Sequence, residues 1–123
     1  MKRIFHASGL PVARGGRVTD LDEALRLAGD LGYPVILKPD EGVGASGTHR
    51  VNSAAELETL FPELAPGILL EEFIDAPIVT YDGLTGLTGE VLFENTLVYG
   101  EGLIEYTRGT DTFFYVGRSI PAQ

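Results

Sequence analysis

The tightest constraint in this sequence is a stretch in which a short apolar run and a glycine cluster stand back to back. Tyr33-Pro34-Val35-Ile36-Leu37-Lys38-Pro39 is bounded by breakers and reads as a buried strand. Asp40-Glu41-Gly42-Val43-Gly44-Ala45-Ser46-Gly47 comes next, and residues 48–51 read as another strand. Gly42-x-Gly44-x-x-Gly47 matches the dinucleotide-binding fingerprint letter for letter. That mechanism, however, needs a helix to begin inside the glycines so that its N-terminus faces the pyrophosphate. Here the polar and β-branched Thr48-His49-Arg50-Val51-Asn52 intervenes, and the next helix cap is Ser53. The Gly-Lys-Ser/Thr ending of a Walker loop is missing too. The spacing favours a glycine loop between two antiparallel strands. Such a loop can fold over a polyphosphate and offer backbone N–H groups to its oxygens, because glycine has no Cβ to clash. Lys38, at the end of the buried strand, would set a positive charge beside the same phosphates. A surface turn with Lys38 snorkelling is the plainer alternative.

The flanking residues build an α+β lobe around that loop. Residues 2–8 read as the end of a helix stopped by Gly9, with Pro11 just beyond, and residues 12–18 read as a short strand. Leu21, Ala24, Leu25, Ala28 and Leu31 form an apolar stripe at helical spacing, with Asp20 and Glu23 at capping-box positions and Gly32 closing the helix. A second helix opens at Ser53 with Glu56 three residues later, an inner stripe of Ala54, Leu57, Leu60 and Phe61, and prolines 62 and 66 ending it. Residues 67–73 read as a strand that starts apolar and finishes in two acids. The half thus runs strand–helix–strand, loop, strand–helix–strand. Its two units share an opening, Arg17-Val18-Thr19 and Arg50-Val51-Asn52, 33 residues apart.

Residues 75–123 contain no convincing helix. Strands are expected at 78–81, 91–93, 96–99, 103–106 and 113–116, punctuated by Asp82-Gly83, Thr88-Gly89, Gly100, Gly102 and Gly109, which suggests antiparallel hairpins. The last of these strands is strongly apolar and leaves an edge open to another subunit or to a further lobe.

Charge and composition narrow the function. Net charge is −9, but residues 1–50 carry seven basic groups against six acidic ones, while residues 51–123 carry two against twelve. An anionic ligand should meet the first half, and duplex nucleic acid is a poor partner because phosphate neutralisation needs a basic face. The absence of cysteine excludes disulfides and cysteine catalysis, and His6 and His49 alone make a histidine metal cluster implausible. No run approaches the ~18 apolar residues of a membrane span, and the first residues are too polar for a signal peptide, so a soluble cytoplasmic protein is expected.

Two pieces in this order, Gly32-Tyr33-Pro34-Val35-Ile36-Leu37-Lys38-Pro39 with its glycine loop and then Leu69-Leu70-Glu71-Glu72-Phe73-Ile74, resemble the ATP-grasp superfamily of carboxylate–amine and carboxylate–thiol ligases. Ser8-Gly9-Leu10-Pro11-Val12 resembles the helix-to-strand junction that opens that domain. The resemblance implies a lid-like lobe at 1–74 and, at 75–123, the antiparallel start of an incomplete second lobe. It implies that Lys38 contacts the α- and β-phosphates of ATP and that Gly42, Gly44, Ala45, Ser46 and Gly47 close over the β- and γ-phosphates. Glu71, Glu72, Phe73 and Ile74 would be the hinge. There the Glu72 carbonyl and the Ile74 N–H would pair with adenine, with the Glu71 side chain close by.

Three departures accompany the resemblance. The family's upstream lysine would fall before Met1, since Lys2 is about one turn too close to the junction. The acid that holds the ribose falls on Ile78, with Glu94 and Asp82 as the nearby substitutes. The magnesium-binding carboxylates and asparagine lie past residue 123, so magnesium is expected only in a complete domain and no catalytic or metal-ligating residue is assigned here. The resemblance therefore implies the ATP-binding portion of a ligase that activates a carboxylate as an acyl phosphate, with the chain alone not catalytic. The alternative is a non-catalytic module derived from that fold, acting through protein association or dimerisation at the open edge. Glu105, Tyr106 and Arg108 could line one side of a substrate pocket, or simply be solvated hairpin residues.

Overall fold

A computed structural model describes residues 2–41, 46–64, 66–100 and 114–117. The chain divides into two compact units, Met1–Ile74 and Asp75–Gln123. The first unit opens with helix α1 (Lys2–Ala7). It continues through β1 (Gly15–Val18), α2 (Leu21–Leu31), β2 (Val35–Pro39), β3 (His49–Val51), α3 (Ala54–Leu60) and β4 (Ile68–Glu72). The strands form one sheet in the order β1-β4-β2-β3, every pair antiparallel. Each strand–helix–strand unit is therefore split. β4 sits between β1 and β2, and β2 sits between β3 and β4. The shared opening of the two units is real in structural terms. Arg17-Val18 ends β1 before α2, and Arg50-Val51 ends β3 before α3.

Both helices begin as their sequences predict, with one shared variation. Asp20 caps α2 by accepting from the Glu23 N–H at 2.8 Å, and Ser53 caps α3 by accepting from the Glu56 N–H at 3.2 Å. The two glutamates then reach one residue past the cap, to the N–H of Thr19 (2.9 Å) and of Asn52 (2.7 Å). Orphan donors at each helix start are thereby satisfied by side chains rather than by water alone. Gly32 closes α2 with φ of 84° and donates to the Ala28 carbonyl. Two details differ from the sequence reading. Ala54 is exposed, and Leu57 is the buried side chain of α3. Pro62 does not simply stop the helix but enters a 3-10 turn (Phe61–Glu63), where the first turn requires no N–H from it.

The core lies between the helices and one face of the sheet. Val18, Val35, Leu37, Val51, Ile68 and Leu70 supply the strand side, and Ala24, Ala28 and Leu57 the helix side. The strand expected at 12–18 is shorter, because β1 starts only at Gly15. That glycine has φ of +143°, and a Cβ there would lie 2.2 Å from the Leu70 carbonyl oxygen.

The second unit contains β5 (Ile78–Thr85), β6 (Val91–Tyr99) and β7 (Phe114–Gly117) in an antiparallel sheet of order β5-β6-β7. Asp82-Gly83 is not a turn. It lies within β5, opposite Asn95 and Glu94. The two strands expected at 91–93 and 96–99 are one strand, because Glu94 and Asn95 between them pair with Gly83 and Asp82 in the same continuous ladder. Reversal happens at residues 86–90, where the Gly86 N–H donates to the Glu90 carbonyl at 2.8 Å. Pairing along the ladder outweighs local turn propensity. The strand expected at 103–106 lies outside the described residues.

The close approach at Gly15 makes a test. Gly15→Ala should lower stability by about 1–3 kcal/mol through backbone strain. Gly16→Ala, whose Cβ would meet only Leu27 at 4.0 Å, should change little. Equal losses for the two variants in urea titration would contradict this account of the β1–β4 contact.

Candidate functional site

Period-two alternation gives the sheet a second face, away from α2 and α3. Core residues Val35, Leu37 and Leu70 alternate with Ile36, Lys38, Leu69 and Glu71, and the ladder sets Ile36 opposite Glu71 and Lys38 opposite Leu69. Arg17 and Arg50 belong to this second face by the same alternation, being neighbours in sequence of the core residues Val18 and Val51.

Glu71 is the centre of that face. It is 6% exposed, yet its carboxylate is held by two lysines from different elements. Lys38 Nζ, from β2, is 2.8 Å from Oε2. Lys2 Nζ, from α1, is 2.6 Å from Oε1 as an ion pair and also donates to the Ala13 carbonyl at 2.7 Å. Burial pushes the Glu71 carboxyl upward in pKa, but the hydrogen bonds and charges of Lys2 and Lys38 outweigh it, so the group lies below its ordinary value. Spacing along the chain gives Lys2 no part in the site, yet the folded lobe brings its ammonium group there. One helical turn is about 5.4 Å, a gap the four-carbon lysine stem can cover. Around this triad the second face also carries Arg50 and the Arg17–Asp40 pair at 3.6 Å. Basic groups outnumber acidic ones there, in a chain whose net charge is −9.

The remaining site residues divide by location. Ser46 and Gly47 form an exposed turn that leads into β3. Gly42, Gly44 and Ala45 lie outside the described residues, as do Glu105, Tyr106 and Arg108. β2 and β3 pair antiparallel on either side of the glycine stretch, and α3 starts only at Ala54. The glycines therefore lead into a strand, and not into the helix N-terminus that a dinucleotide site requires. Glu71 and Glu72 end β4, and Phe73 and Ile74 continue beyond the strand. The Glu72 carboxylate turns to Arg14, accepting from its N–H and its Nε–H at 2.7 Å each. Those two hydrogen bonds hold the Glu72 carboxyl below its usual range. Arg50 lies over the Phe73 ring, 4.2 Å from its centroid.

Arg14 belongs to no motif, and Arg50 is marked only by the repeated strand opening; neither position signals its partner, which lies far away along the chain. In the second unit, Ile78 opens β5 opposite Tyr99, and Glu94 accepts a hydrogen bond from the Tyr81 hydroxyl at 3.0 Å. Asp82 sits mid-strand opposite Asn95.

Glu71 and Glu72 do not suit magnesium. Both Glu71 oxygens face ammonium groups, and both Glu72 oxygens face Arg14. Among the described residues no three His, Cys, Asp or Glu side chains gather as a metal site, and no helix is long and apolar enough to cross a membrane.

The Glu71 triad predicts a pH dependence. Because the folded carboxyl lies below its ordinary value of 4.5, its contribution is fully present above that pH and is lost as pH falls through the lowered value. The stability advantage of wild type over Glu71→Gln should hold steady from neutral pH to about 4.5 and shrink below it. A difference that stays constant down to acid unfolding would contradict the triad.

Comparison with known proteins places this fold. The family model described as carbamoyl-phosphate synthase L chain, ATP binding domain, matches residues 1–77. The carbamoyl phosphate synthase large chain of Mycobacterium sp. (strain JLS) is 31% identical over 108 residues, covering 84% of this chain and 9% of its own length. The D-alanine–D-alanine ligase of Pseudomonas putida (strain GB-1) is 30% identical over 94 residues, covering 74% of this chain and 29% of that one. Among solved structures, carboxyaminoimidazole ribonucleotide synthase from Aspergillus clavatus, complexed with ATP, superposes with a TM-score of 0.66 at 22% identity. The match covers 83% of this chain and 28% of that one. The biotin carboxylase domain of Hydrogenobacter thermophilus 2-oxoglutarate carboxylase gives 0.63 at 21% identity, over 99% of this chain and 39% of that one. The chain thus spans from 9% to 39% of the length of these proteins. With its split α+β sheet and its match over residues 1–77, the chain belongs to the carbamoyl-phosphate synthase L chain ATP-binding domain family, within the ATP-grasp superfamily.

Proposed function

We propose that this chain supplies the ATP-binding portion of an ATP-grasp ligase, with residues 1–74 as the lobe that covers the nucleotide and 75–123 as the start of a second lobe. The observation that carries this reading is the convergence of Lys2 and Lys38 on one carboxylate, on the sheet face opposite α2 and α3. Two ammonium groups preset within one small region make a receptor for a polyphosphate. Lys38 would contact the α- and β-phosphates, with Lys2 beside it, and the loop from Gly42 through Gly44, Ala45 and Ser46 to Gly47 would cover the β- and γ-phosphates. At the hinge the Glu72 carbonyl and Ile74 N–H would pair with adenine, with Glu71 and Phe73 as neighbours. Charge-assisted contacts are about twice as strong as neutral ones, so the phosphate end should dominate affinity. Magnesium would arrive on the nucleotide's phosphates, since Glu71 and Glu72 are already engaged.

In the full reaction this reading implies, the γ-phosphoryl group of ATP passes to a carboxylate oxygen and ADP leaves. An amine or thiol then attacks the acyl phosphate and displaces phosphate. This chain's part is binding and orientation. A cytoplasmic setting, where ATP is supplied, suits that role.

Calorimetric titration with ATP and magnesium tests the site. Lys38→Ala should weaken binding about tenfold to a hundredfold, the loss of one charge-assisted contact of roughly 1.5–3 kcal/mol. Wild type and variant showing the same affinity, or a folded wild type giving no heat, would refute the nucleotide reading.

A second reading, association through residues 75–123, rests on exposed apolar side chains in that unit, including Leu84, Leu92, Phe93 and Val116. Under it the open strand edge would pair with a second copy or with a further lobe. A concentration-dependent dimer by light scattering, unaffected by ATP in a chain that binds none, is the outcome expected of that reading.

A further inference from the structure

Where β4 leaves the sheet, two successive residues are gripped by arginines from opposite edges. The β1–β4 ladder begins at the Gly15–Glu71 pair, one residue short of Arg14 and Glu72. Beyond it, Arg14 and Glu72 add three hydrogen bonds that form a closed set. The Glu72 N–H donates to the Arg14 carbonyl at 2.9 Å. The Arg14 N–H donates to Glu72 Oε1, and Arg14 Nε–H donates to Oε2, each at 2.7 Å. The two carboxylate oxygens are held from different directions, Oε1 by the main-chain N–H and Oε2 by the side-chain Nε–H, so the contact sets the carboxylate's direction as well as its distance. The following residue, Phe73, is covered by Arg50 of β3, the opposite edge strand.

We infer that Arg14 is a positioning residue for the nucleobase. By locking Glu72 to the start of β1, it fixes the course of residues 72–74 before any ligand arrives. The inference rests on the reading of 72–74 as the base-binding segment. Arg14 needs no contact with the nucleotide for this role. Two backbone hydrogen bonds to a flat base require the Glu72 carbonyl and the Ile74 N–H to stay parallel and at a fixed separation. A strand end held by ladder bonds alone would fray. The Arg14 side chain is 64% exposed, so shortening it opens no cavity in the core.

The test compares ATP with inorganic tripolyphosphate, which has phosphates but no base. Wild type, Arg14→Ala and Arg14→Lys are titrated with each in the presence of magnesium, after circular dichroism and thermal melting show that each is folded. Arg14→Ala keeps the two main-chain hydrogen bonds and loses the Nε–H contact to Oε2. It should weaken ATP binding about five- to thirtyfold, the equivalent of misaligned base hydrogen bonds, and leave tripolyphosphate within about twofold of wild type. Arg14→Lys keeps the charge but lacks the Nε–H that meets Oε2, should shift the same ratio by less, and carries the test should the alanine variant not fold. Equal losses for the two ligands, or no loss for either, overturn the positioning role while leaving the phosphate site standing. A wild type that binds ATP no more tightly than tripolyphosphate removes the base contact and this inference with it. A wild type that binds neither ligand removes the whole nucleotide reading.

Discussion

A buried carboxylate between two lysines is the interaction on which this lobe turns. Glu71 sits near the end of β4, which is interior to the sheet, so its side chain loses most of its water on folding. An isolated charge there would be costly, and two ammonium groups offset the cost. The arrangement has structural consequences as well. Lys2 and its bond to the Ala13 carbonyl tie α1 to the sheet, although Ile4 and Phe5 of that helix remain exposed. A six-residue helix has little intrinsic stability, so this attachment matters to whether it forms at all.

From Glu71 outward, the sheet's two faces divide the labour. One face is apolar and is sealed by α2 and α3 through Ala24, Ala28 and Leu57. The other carries Lys38, Glu71, Arg17 and Arg50. The division needs nothing more than the period-two geometry of strands, since each core residue has a polar or half-buried neighbour pointing the opposite way. A slip of one residue in β2 against β4 would bury Lys38 and expose Leu37. The fold therefore cannot form its core without also presenting its basic face.

Much of this is legible in the sequence, for reasons that can be named. The caps at Asp20 and Ser53, the stripe of α2, and the strand on either side of the glycine stretch depend on interactions within a few residues. The features that local reading misplaces share the opposite cause. Asp82-Gly83 has turn chemistry but lies in a ladder with Glu94 and Asn95. Ala54 occupies an apolar position in sequence but faces solvent, because the helix's rotation is set by where Leu57 must pack. Lys2 stands apart when measured along the chain, whereas its distance to Glu71 is a property of the folded lobe.

The sequence by itself determined the α+β alternation of the first half, the strand–glycine–strand unit after Lys38, and the membership of a nucleotide-binding superfamily that those motifs in order convey. Local propensity and side-chain period suffice for such features, because they act over a turn or a strand. Only the tertiary structure decided the strand order, which slips β4 between β1 and β2, and with it the meeting of Lys2, Lys38 and Glu71 and of Arg14 with Glu72. Those partners are separated by 58 residues in the case of Arg14 and Glu72. No local rule links residues that far apart. Closing such a loop is repaid only when many ladder and core contacts form together, so these pairings exist as consequences of the whole lobe.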